Sequence, residues 1–410
     1  MTPSSGGTAE RVATAIAARI TPVSLALIAA YVIALALMIA TSHGGLDAAG
    51  RPLGTDFSNV WSAGRLVLEG APQAAYDVAR HHGEQQREFG AAVPFYGWHY
   101  PPMFLGLAAL LATLPYVSAL FVWQAATLPL YLWSLVRIVG AHRREVLLVG
   151  LAFPAVFVNL THGHNGFLTA ALFGCGLYIL DRRPLLAGVL LGLLAYKPQF
   201  GLLLPLVLIA TGRWRTAGSA ALTVAAIAAA SWVAFGAETW EAFRASAAFT
   251  RSVVLEQGDT GWHKIMSAFS AARALGAGVG TAYAIHAAVA VAALVITLRV
   301  WRGEAAFGAK AATLLAGSLL MTPYLLDYDL MLFAPAVAFL AHDALRDGWR
   351  PHEPVLLAVI FLAPLVARPL AEITLIPIGL FATLALFACA VARARPDTAP
   401  DRTLAYAAHR

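Results

Sequence analysis

The chain has 410 residues, of which 60% are hydrophobic and only 12% are charged. Soluble domains carry about 25% charged residues, so this composition excludes a water-soluble globular protein. The net charge of +6 comes from arginines grouped between apolar runs, the pattern that the positive-inside rule describes in membrane proteins. We therefore interpret the charge as a sign of membrane topology and expect no nucleic-acid partner.

Apolar runs of about 20 residues recur along most of the chain, and each is long enough to cross a bilayer. They predict an all-α polytopic membrane protein with about 12 transmembrane helices. The predicted transmembrane domain covers residues 20–391, between a cytoplasmic N-terminus at 1–19 and a cytoplasmic tail at 392–410.

The connections between the apolar runs divide by charge. If the arginine-bearing loops are cytoplasmic, the remaining connections lie on the extracytoplasmic side. Two of those are long, residues 43–99 and 237–276, and we expect interfacial helices in the first. The number of crossings between residues 100 and 138 stays open, because the run at 102–114 is short. Either this run does not span the membrane fully, or the arginines at 143–144 do not lie on the cytoplasmic side.

A helix is predicted to begin at Asp56, in the segment PLGTDFSNVWSAG. Phe57 and Trp61 fall on one face of this helix, and Ser58 and Asn59 fall on the other, a pattern typical of a helix that lies in the membrane interface. Asp56 suits the N-cap of the helix, where its carboxylate would accept backbone N–H bonds. An acid in that position can also face a pocket.

Two short polar segments follow. FYGWHYPPMF, residues 95–104, places His99 among aromatic residues, which an interfacial aromatic belt explains without a function. NLTHGHNGF holds His162, His164 and Asn165 in a turn that its glycines permit. A zinc site needs further ligands, and we predict no metal. A polar turn and a hydrogen-bonding platform for a ligand both stay open for the second segment.

Lys197 is one of only three lysines and lies inside the apolar run 185–211. We predict two half-length helices broken at Lys197–Pro198, since proline disfavours helical geometry in the residue before it. Charges within a membrane are costly and usually mark a functional path or an ion pair. A lysine that snorkels from a helix end is the alternative, and we favour the binding of an anion such as phosphate.

The second long loop contains DTGWHKIMSAFSAAR, in which Trp262, His263 and Lys264 are typical of either a solvated loop or a binding surface. Farther on, MTPYLLDYDLMLFAP contains Asp327 and Asp329. Their DxD spacing matches a signature by which some soluble enzymes hold a metal ion and a nucleotide. Three residues are weak evidence, however, and the N-cap of a helix explains either aspartate.

The topology drawn from the arginines places the unusual polar residues on one side of the membrane, whereas a random scatter would divide them between the two faces. The extracytoplasmic set consists of Asp56, His162, His164, Asn165, Lys197, Lys264, Asp327 and Arg368. This convergence favours one functional site over a collection of separate structural roles.

Several segments together resemble glycosyltransferase family 87 of the GT-C superfamily, a group of alpha-mannosyltransferase-like membrane proteins. They are GTDFSNVWSAGRLVLEG, HYPPMFLGLAALLATLP, FPAVFVNLTHGHNGFLTAALF, DRRPLLAGVLLGLLAYKPQFGLLLPL and TPYLLDYDL. Any one segment is unspecific, and it is their order and spacing that carry the resemblance.

The resemblance implies a GT-C-like fold and a hexosyltransferase without a cofactor, whose donor is a polyprenyl-phosphate-linked sugar. A lipid or glycan acceptor would be reached from the extracytoplasmic side of a bacterial-type inner membrane, among membrane lipids. In the family an acid of the first external loop acts as the catalytic base, and Asp56 occupies that position. The turn at 163–166, usually Gly-Gln-Asn-Gly, reads Gly-His-Asn-Gly here, and Tyr324 stands where some mannosyltransferases of the family have histidine. Mannose is therefore not assured.

The implied mechanism agrees with the residue types. Glycosidases need two carboxylates, because an alkoxide leaving group must be protonated. A lipid phosphate departs as an anion, so one base suffices to take the proton from the acceptor hydroxyl. Direct displacement inverts the anomeric configuration, and cations stabilise the departing phosphate. The predicted substrate- and phosphate-binding residues are Lys197, Lys264, His164, Asn165, His99, Gln199, Trp262, His263, Tyr324, Asp327 and Asp329.

A secondary transporter or lipid flippase is the alternative from a different class. Discontinuous helices form transporter sites near the bilayer midplane, and the predicted break at Lys197–Pro198 is of that kind. The chain shows no reliable internal repeat, however, and its polar residues cluster toward one face.

Overall fold

The computed structural model describes residues 5–259 and 261–395, and the predictions for residues 1–4, Thr260 and 396–410 lie outside them. Every named element of the described residues is a helix. The α-helices are α1 (Ser5–Ala40), α2 (Phe57–Leu68), α3 (Val78–Phe89), α4 (Leu105–Ala112), α5 (Tyr116–Val139), α6 (Arg143–Ala152), α7 (Pro154–His162), α8 (Gly166–Tyr178), α9 (Pro184–Gly192), α10 (Leu203–Ala210), α11 (Trp214–Phe249), α12 (Ala268–Ala274), α13 (Val279–Arg302), α14 (Phe307–Met321), α15 (Phe333–Asp347), α16 (Glu353–Thr374) and α17 (Ile378–Ala394). Short 3-10 or π-helical segments cover Pro72–Tyr76, Pro102–Phe104, Leu193–Tyr196, Pro198–Gly201, Thr250–Glu256, Trp262–Lys264 and Asp327–Leu332.

Six of the described helical stretches are long and apolar enough to cross a membrane. A seventh results if α6 and α7, which meet at an angle of 55°, form one bent crossing. The chain is thus an all-helical integral membrane protein, as predicted. The predicted number of about 12 crossings is not confirmed, because six other apolar helices of 10–17 residues are each shorter than the hydrocarbon core of about 30 Å.

The open question between residues 100 and 138 concerns one short helical stretch and one long helix. Pro102–Ala112 is about 16 Å long at about 1.5 Å per residue, roughly half of the hydrocarbon core. α5 follows after Pro115 and is long enough to cross alone. The structure favours the alternative in which the short stretch spans incompletely.

The predicted helix break at Lys197–Pro198 is confirmed. Lys197 has non-helical angles (φ −120°, ψ 77°) and lies between two 3-10 turns that separate α9 from α10. The geometry follows from Pro198, which restricts the residue before it and lacks a backbone N–H.

The first long loop contains the predicted helix, but α2 does not lie with its polar face exposed. Ser58, Asn59 and Ser62 are at most 6% exposed. Gly64 lets α4 approach closely, since a Cβ at this position would lie 2.1 Å from the Ala108 carbonyl oxygen. The location of α2 in the membrane interface stays a prediction, and its polar face is packed within the protein, because α3, α4 and α5 surround α2.

The second long loop is largely helical. α11 is broken at Gly236 (φ 78°, ψ 168°), next to the predicted start of the loop, and helical geometry continues through Glu256. The rest of the loop folds back onto the segment before residue 327. Met266 N–H donates to the Leu325 carbonyl oxygen at 2.6 Å, which brings residues 262–264 beside that segment.

α14 forms the centre of the main apolar core. Twelve of its 15 residues are buried, and α13, α15 and α17 pack around it. Small residues permit this packing; a Cβ at Gly317 would lie 2.8 Å from Thr297 Oγ1. Because α14 leads directly into residues 322–332, the polar residues of that segment are anchored to a closely packed, buried helix.

Candidate active site

Asp56 immediately precedes α2, but its side chain does not cap that helix. Its backbone has helical angles (φ −72°, ψ −22°), and its carboxylate accepts no bond from the first turn. Asp56 thus occupies the predicted N-cap position, but its carboxylate does not make the predicted bonds, since a capping residue needs a non-helical backbone to turn its side chain toward the first N–H groups. Asp56 is partly buried, and no group within residues 5–259 and 261–395 donates a hydrogen bond to it.

Four side chains from other parts of the chain act electrostatically on the Asp56 carboxylate. Burial raises the pKa of Asp56 most strongly, and the negative charge of Asp327 raises it further. The positive charges of His162, Lys264 and Arg368 lower the pKa of Asp56. The direction shows that loss of hydration outweighs the nearby positive charge. Asp56 is consequently a stronger base than a carboxylate in water. We call Asp56, His162, Lys264, Asp327 and Arg368 the charged centre.

Arg368, on α16, links two members of the charged centre. Its Nη1 atom lies 3.4 Å from Asp327 Oδ2 and 3.4 Å from His162 Nε2. His162 Nδ1 lies 2.8 Å from the Val158 carbonyl oxygen and donates its hydrogen to that oxygen. The Arg368 side chain is 34% exposed, which leaves N–H donors available to an anion.

Lys264 supplies the second cation of the charged centre. Burial lowers the pKa of Lys264, and the positive charge of Arg368 lowers it further. Among the described side chains, no acid forms a salt bridge with Lys264. Two cations held together in a partly buried place favour a bound anion, because the anion offsets their mutual repulsion.

Gly163 holds the turn between α7 and α8 against the Asp56 segment. It has a φ of +60°, and a Cβ added there would lie 2.6 Å from Phe57 Cβ and 3.4 Å from Gly54 Cα. Both the left-handed angle and the close approach require glycine. Because His162 immediately precedes Gly163, this contact sets the position of His162 relative to Asp56.

We expect Gly163→Ala to lower the Tm more than Gly140→Ala does. Both glycines end helices with positive φ, but a Cβ at Gly140 (φ +72°) meets no atom within 4 Å. Gly140→Ala therefore measures backbone strain alone, about 1–3 kcal/mol, and the extra loss in Gly163→Ala measures the contacts of the new Cβ with Phe57 and Leu120. Thermal unfolding followed by tryptophan fluorescence provides the comparison, and equal Tm values would contradict the packing argument.

His164 is held between two tyrosines in the same turn. Its Nε2 lies 3.1 Å from the Tyr100 hydroxyl, and its ring stacks on Tyr328 with centroids 3.4 Å apart. Burial lowers the pKa of His164 well below its ordinary value, and Lys197 lowers it further, so the imidazole is neutral. His164 Nδ1 and both amide atoms of Asn165 are buried without a partner in the described part of the chain. The turn offers neutral hydrogen-bonding groups.

Lys197 forms a buried ion pair with Asp329, with Nζ 2.6 Å from Oδ1 and both side chains 3% exposed. The snorkelling alternative is therefore wrong. Phosphate binding by Lys197 stays a prediction, in which phosphate would compete with Asp329.

The N-cap interpretation of Asp327 and Asp329 is also wrong, because Leu326 occupies the cap position. Asp329 Oδ2 accepts the Leu326 N–H at 3.2 Å, and Asp327 Oδ1 accepts the Tyr328 N–H at 2.9 Å. No group of three metal-ligating side chains forms among the described residues.

The remaining predicted residues line two cavities that do not include the charged centre. One cavity, of about 250 Å³, is lined in part by His99, Gln199 and Tyr324. The other, of about 230 Å³, is lined in part by Trp262 and His263. The structure thus divides the predicted residues between a charged centre, a neutral turn and two cavities.

The predicted binding residues omitted His162 and Arg368, although the topology placed both on the same side. The signal for Arg368 was its charge within an apolar helix, which usually marks function or pairing. Tyr100 and Tyr328, which hold His164, were also missed. They carry no such signal, because aromatic residues are common near membrane interfaces.

The fold and the charged centre define an integral membrane protein in which Asp56, a carboxylate with a raised pKa, lies near the cations Lys264 and Arg368. The family model of glycosyltransferase family 87 matches residues 98–323, more than half of the chain. The chain belongs to glycosyltransferase family 87, as the sequence resemblance indicated. Comparison with curated proteins finds no match, and neither does comparison with solved structures. The matched residues include His162 and Lys264 but not Asp56, so the match shows the family and not the role of Asp56.

Proposed function

We propose that this protein is an inverting glycosyltransferase that moves a hexose from a polyprenyl-phosphate-linked donor to a hydroxyl group of a lipid or glycan acceptor. The charged centre is the observation that carries the proposal: Asp56 accepts no hydrogen bond from any described residue, its pKa responds to Lys264 and Arg368, and the segment of Lys264 packs against the helix of Arg368. The acid can take a proton and the cations can hold a phosphate, the two tasks that transfer from a lipid phosphate requires.

Asp56 is the proposed general base. The acceptor hydroxyl oxygen attacks the anomeric carbon, and its proton passes to the Asp56 carboxylate. The bond between the anomeric carbon and the phosphate oxygen breaks, and its electron pair leaves with the lipid phosphate. Asp327 is less suited to the task, because it is engaged by Arg368 at 3.4 Å and by the Tyr328 N–H at 2.9 Å.

Lys264 and Arg368 are the proposed phosphate-binding residues. Negative charge grows on the phosphate as the sugar leaves it, so fixed positive charges nearby stabilise the transition state more than the ground state. The partial burial of the site strengthens this effect, since water screens charges less where it is partly excluded. Mannose is the first donor sugar to test, because the family resemblance is to alpha-mannosyltransferase-like proteins.

We also propose that the site faces the extracytoplasmic side of a bacterial-type inner membrane, in a GT-C-like arrangement of about 12 crossings. The direction of two long helices supports this orientation. α5 begins beside the Asp56 segment and has Arg137 in its last turn, and α13 begins at the second long loop and has Arg299 and Arg302 in its last turn. The arginines lie at the ends of α5 and α13 that are distant from the site, and the positive-inside rule places such helix ends on the cytoplasmic side.

The test of the proposed function uses the purified protein in lipid nanodiscs with radiolabelled polyprenyl-phosphate hexoses and a set of lipid and glycan acceptors. We expect a glycosylated acceptor whose anomeric configuration, measured by NMR, is the inverse of the donor's. Transport of a solute or flipping of a labelled lipid, without any sugar transfer, would instead favour the transporter or flippase alternative and overturn the proposal.

The Lys264→Met variant is expected to move the acidic limb of the kcat/KM profile to higher pH. The positive charge of Lys264 lowers the pKa of Asp56, so its removal lets that pKa rise and delays formation of the active carboxylate. Asp327→Asn should move the limb the opposite way, because Asp327 raises the pKa of Asp56. Lys310→Met is the control, since Lys310 lies on α14 and is not among the groups that face Asp56. An unmoved limb in Lys264→Met would remove Asp56 from the base role.

A further inference from the structure

A cavity of about 250 Å³ lies between the first and second long loops and the broken helix at Lys197. This volume is somewhat below that of ordinary small-molecule sites, about 300–1,000 Å³, and suits roughly one sugar ring. The polar part of its lining consists of His99, Gln199, Ser246, Thr250, Arg251 and Tyr324. Part of the wall is the π-helical segment Thr250–Glu256, a rare geometry that is frequent at functional sites.

The polar groups of this cavity are available to a ligand. The Gln199 amide, the Ser246 hydroxyl and the Tyr324 hydroxyl form no hydrogen bond with any described residue, and all three side chains are partly exposed. His99 is held in place by Thr250, whose Oγ1 lies 2.8 Å from His99 Nδ1. Amide, hydroxyl and imidazole groups that converge on one cavity match a ligand whose hydroxyls both donate and accept hydrogen bonds.

The charge of the cavity favours an uncharged ligand. Burial lowers the pKa of His99 to about 4, so its ring is neutral at physiological pH. Arg251, at the exposed edge, faces Glu256 with 3.7 Å between Nε and Oε1, which offsets its charge. Lys264 and Arg368, the proposed phosphate-binding residues, do not line this cavity.

Tyr324 connects the cavity to the charged centre. It lines the cavity, and it precedes Asp327, a member of the charged centre, by three residues in the segment that follows α14. In a direct displacement, the attacking hydroxyl and the departing phosphate lie on opposite sides of the reacting sugar. A neutral cavity that reaches the segment of Asp327 without including Lys264 or Arg368 meets this requirement for the acceptor.

We infer that this cavity binds the acceptor through one uncharged, hydroxyl-bearing ring of its head group. The inference rests on the proposed transfer reaction and extends it to the chemistry of the second substrate. Gln199, Ser246 and Tyr324 bind the ring hydroxyls, and His99 contributes through its Thr250-oriented imidazole.

The test compares cavity variants with matched controls, using octyl β-D-glucopyranoside as the acceptor probe in nanodiscs. Ala247→Trp fills the cavity, whereas Ala245 lies on the same helix outside its lining, so Ala245→Trp is the control. Gln199→Leu removes one hydrogen-bonding group and is expected to raise the KM for the probe about 2- to 12-fold. Ser246→Ala should act in the same direction, and Ser252→Ala, outside the lining, should not.

Two readouts separate failure of this inference from failure of the proposed function. Ala247→Trp should lose transfer to the octyl glucoside but retain slow release of sugar from the lipid-linked donor to water. Wild-type KM values for the probe in Ala247→Trp and Gln199→Leu would overturn the inference while transfer itself stands. Tighter binding of octyl β-D-glucuronide than of the glucoside would overturn the preference for a neutral ring.

If the wild type releases no sugar from any lipid-linked donor, the proposed function fails. Saturation-transfer NMR with the octyl glucoside then tests the cavity directly. Binding that Ala247→Trp abolishes and Ala245→Trp retains supports the cavity as a site for a neutral ring, and binding that both variants retain overturns it.

Discussion

The Asp56→Asn variant is expected to transfer sugar about 10²- to 10⁴-fold more slowly than the wild type, the range typical for loss of a general base. Asparagine has a similar shape but cannot take the proton of the acceptor hydroxyl. The kcat should fall, whereas the KM for the lipid-linked donor should not rise, because Lys264 and Arg368 remain to bind its phosphate. Steady-state kinetics at saturating acceptor measure this separation.

Asp47→Asn is the matched control for Asp56→Asn. Asp47 lies in the same loop, forms a salt bridge with Arg51 at 2.9 Å and is not among the groups that face Asp56. Its replacement should leave the rate at the wild-type level. If Asp56→Asn matched Asp47→Asn in rate, the general-base assignment would be wrong.

The stability of Asp56→Asn should also differ from that of the wild type in a defined direction. The pKa of Asp56 is raised in the folded protein, so the wild type loses stability as pH rises from the ordinary carboxyl pKa through the raised one. The asparagine variant lacks this titration and is expected to have an equal or higher Tm at neutral pH. A lower Tm at neutral pH would indicate that Asp56 has a structural role.

The second large effect concerns the buried pair of Lys197 and Asp329. Lys197→Met leaves the Asp329 carboxylate buried without its partner, which typically costs about 3–5 kcal/mol. Asp329→Asn likewise leaves the ammonium of Lys197 buried without its partner. The double variant Lys197→Met/Asp329→Asn removes both charges and keeps an acceptor for the Leu326 N–H, so much of the stability should return.

Sugar transfer by the same variants distinguishes two roles of Lys197. If the ion pair mainly positions residues 327–329, the double variant should transfer sugar faster than either single variant. If Lys197 binds the phosphate, the double variant should be no faster than Lys197→Met and should show a raised donor KM. Asp181→Asn is the control, because Asp181 pairs with Arg213 at the surface and is 60% exposed, a setting in which ion pairs contribute about 0–1 kcal/mol.

Helix interruptions were predictable because their causes are local. Pro198 acts on the geometry of Lys197, its immediate neighbour, and the break was predicted at the correct residue. Gly236 breaks α11 next to the predicted start of the second loop. The short stretch at 102–112 was ambiguous from hydropathy, because its composition is apolar whether or not it crosses the membrane, and only its observed length favours one alternative.

The environment of α2 was not predictable in the same way. The alternation of Phe57 and Trp61 with Ser58 and Asn59 indicated an amphipathic helix, and a helix does form there. Its polar face is nevertheless buried, since the distance between helices depends on residues such as Gly64 and Ala108, which are far apart in sequence. Periodicity describes one helix and contains no information about its neighbours.

The sequence by itself determined the all-helical membrane class, the family and the residue types from which the site is built. Hydropathy, proline geometry and motif order act within short stretches of chain, so each can be read without the fold. Only the tertiary structure decided which charges meet. It pairs Lys197 with Asp329, 132 residues away, and leaves Lys264 and Arg368 to face Asp56. The physical reason is that electrostatic energies and hydration depend on distance and burial in space, and no local pattern of residues encodes either of them.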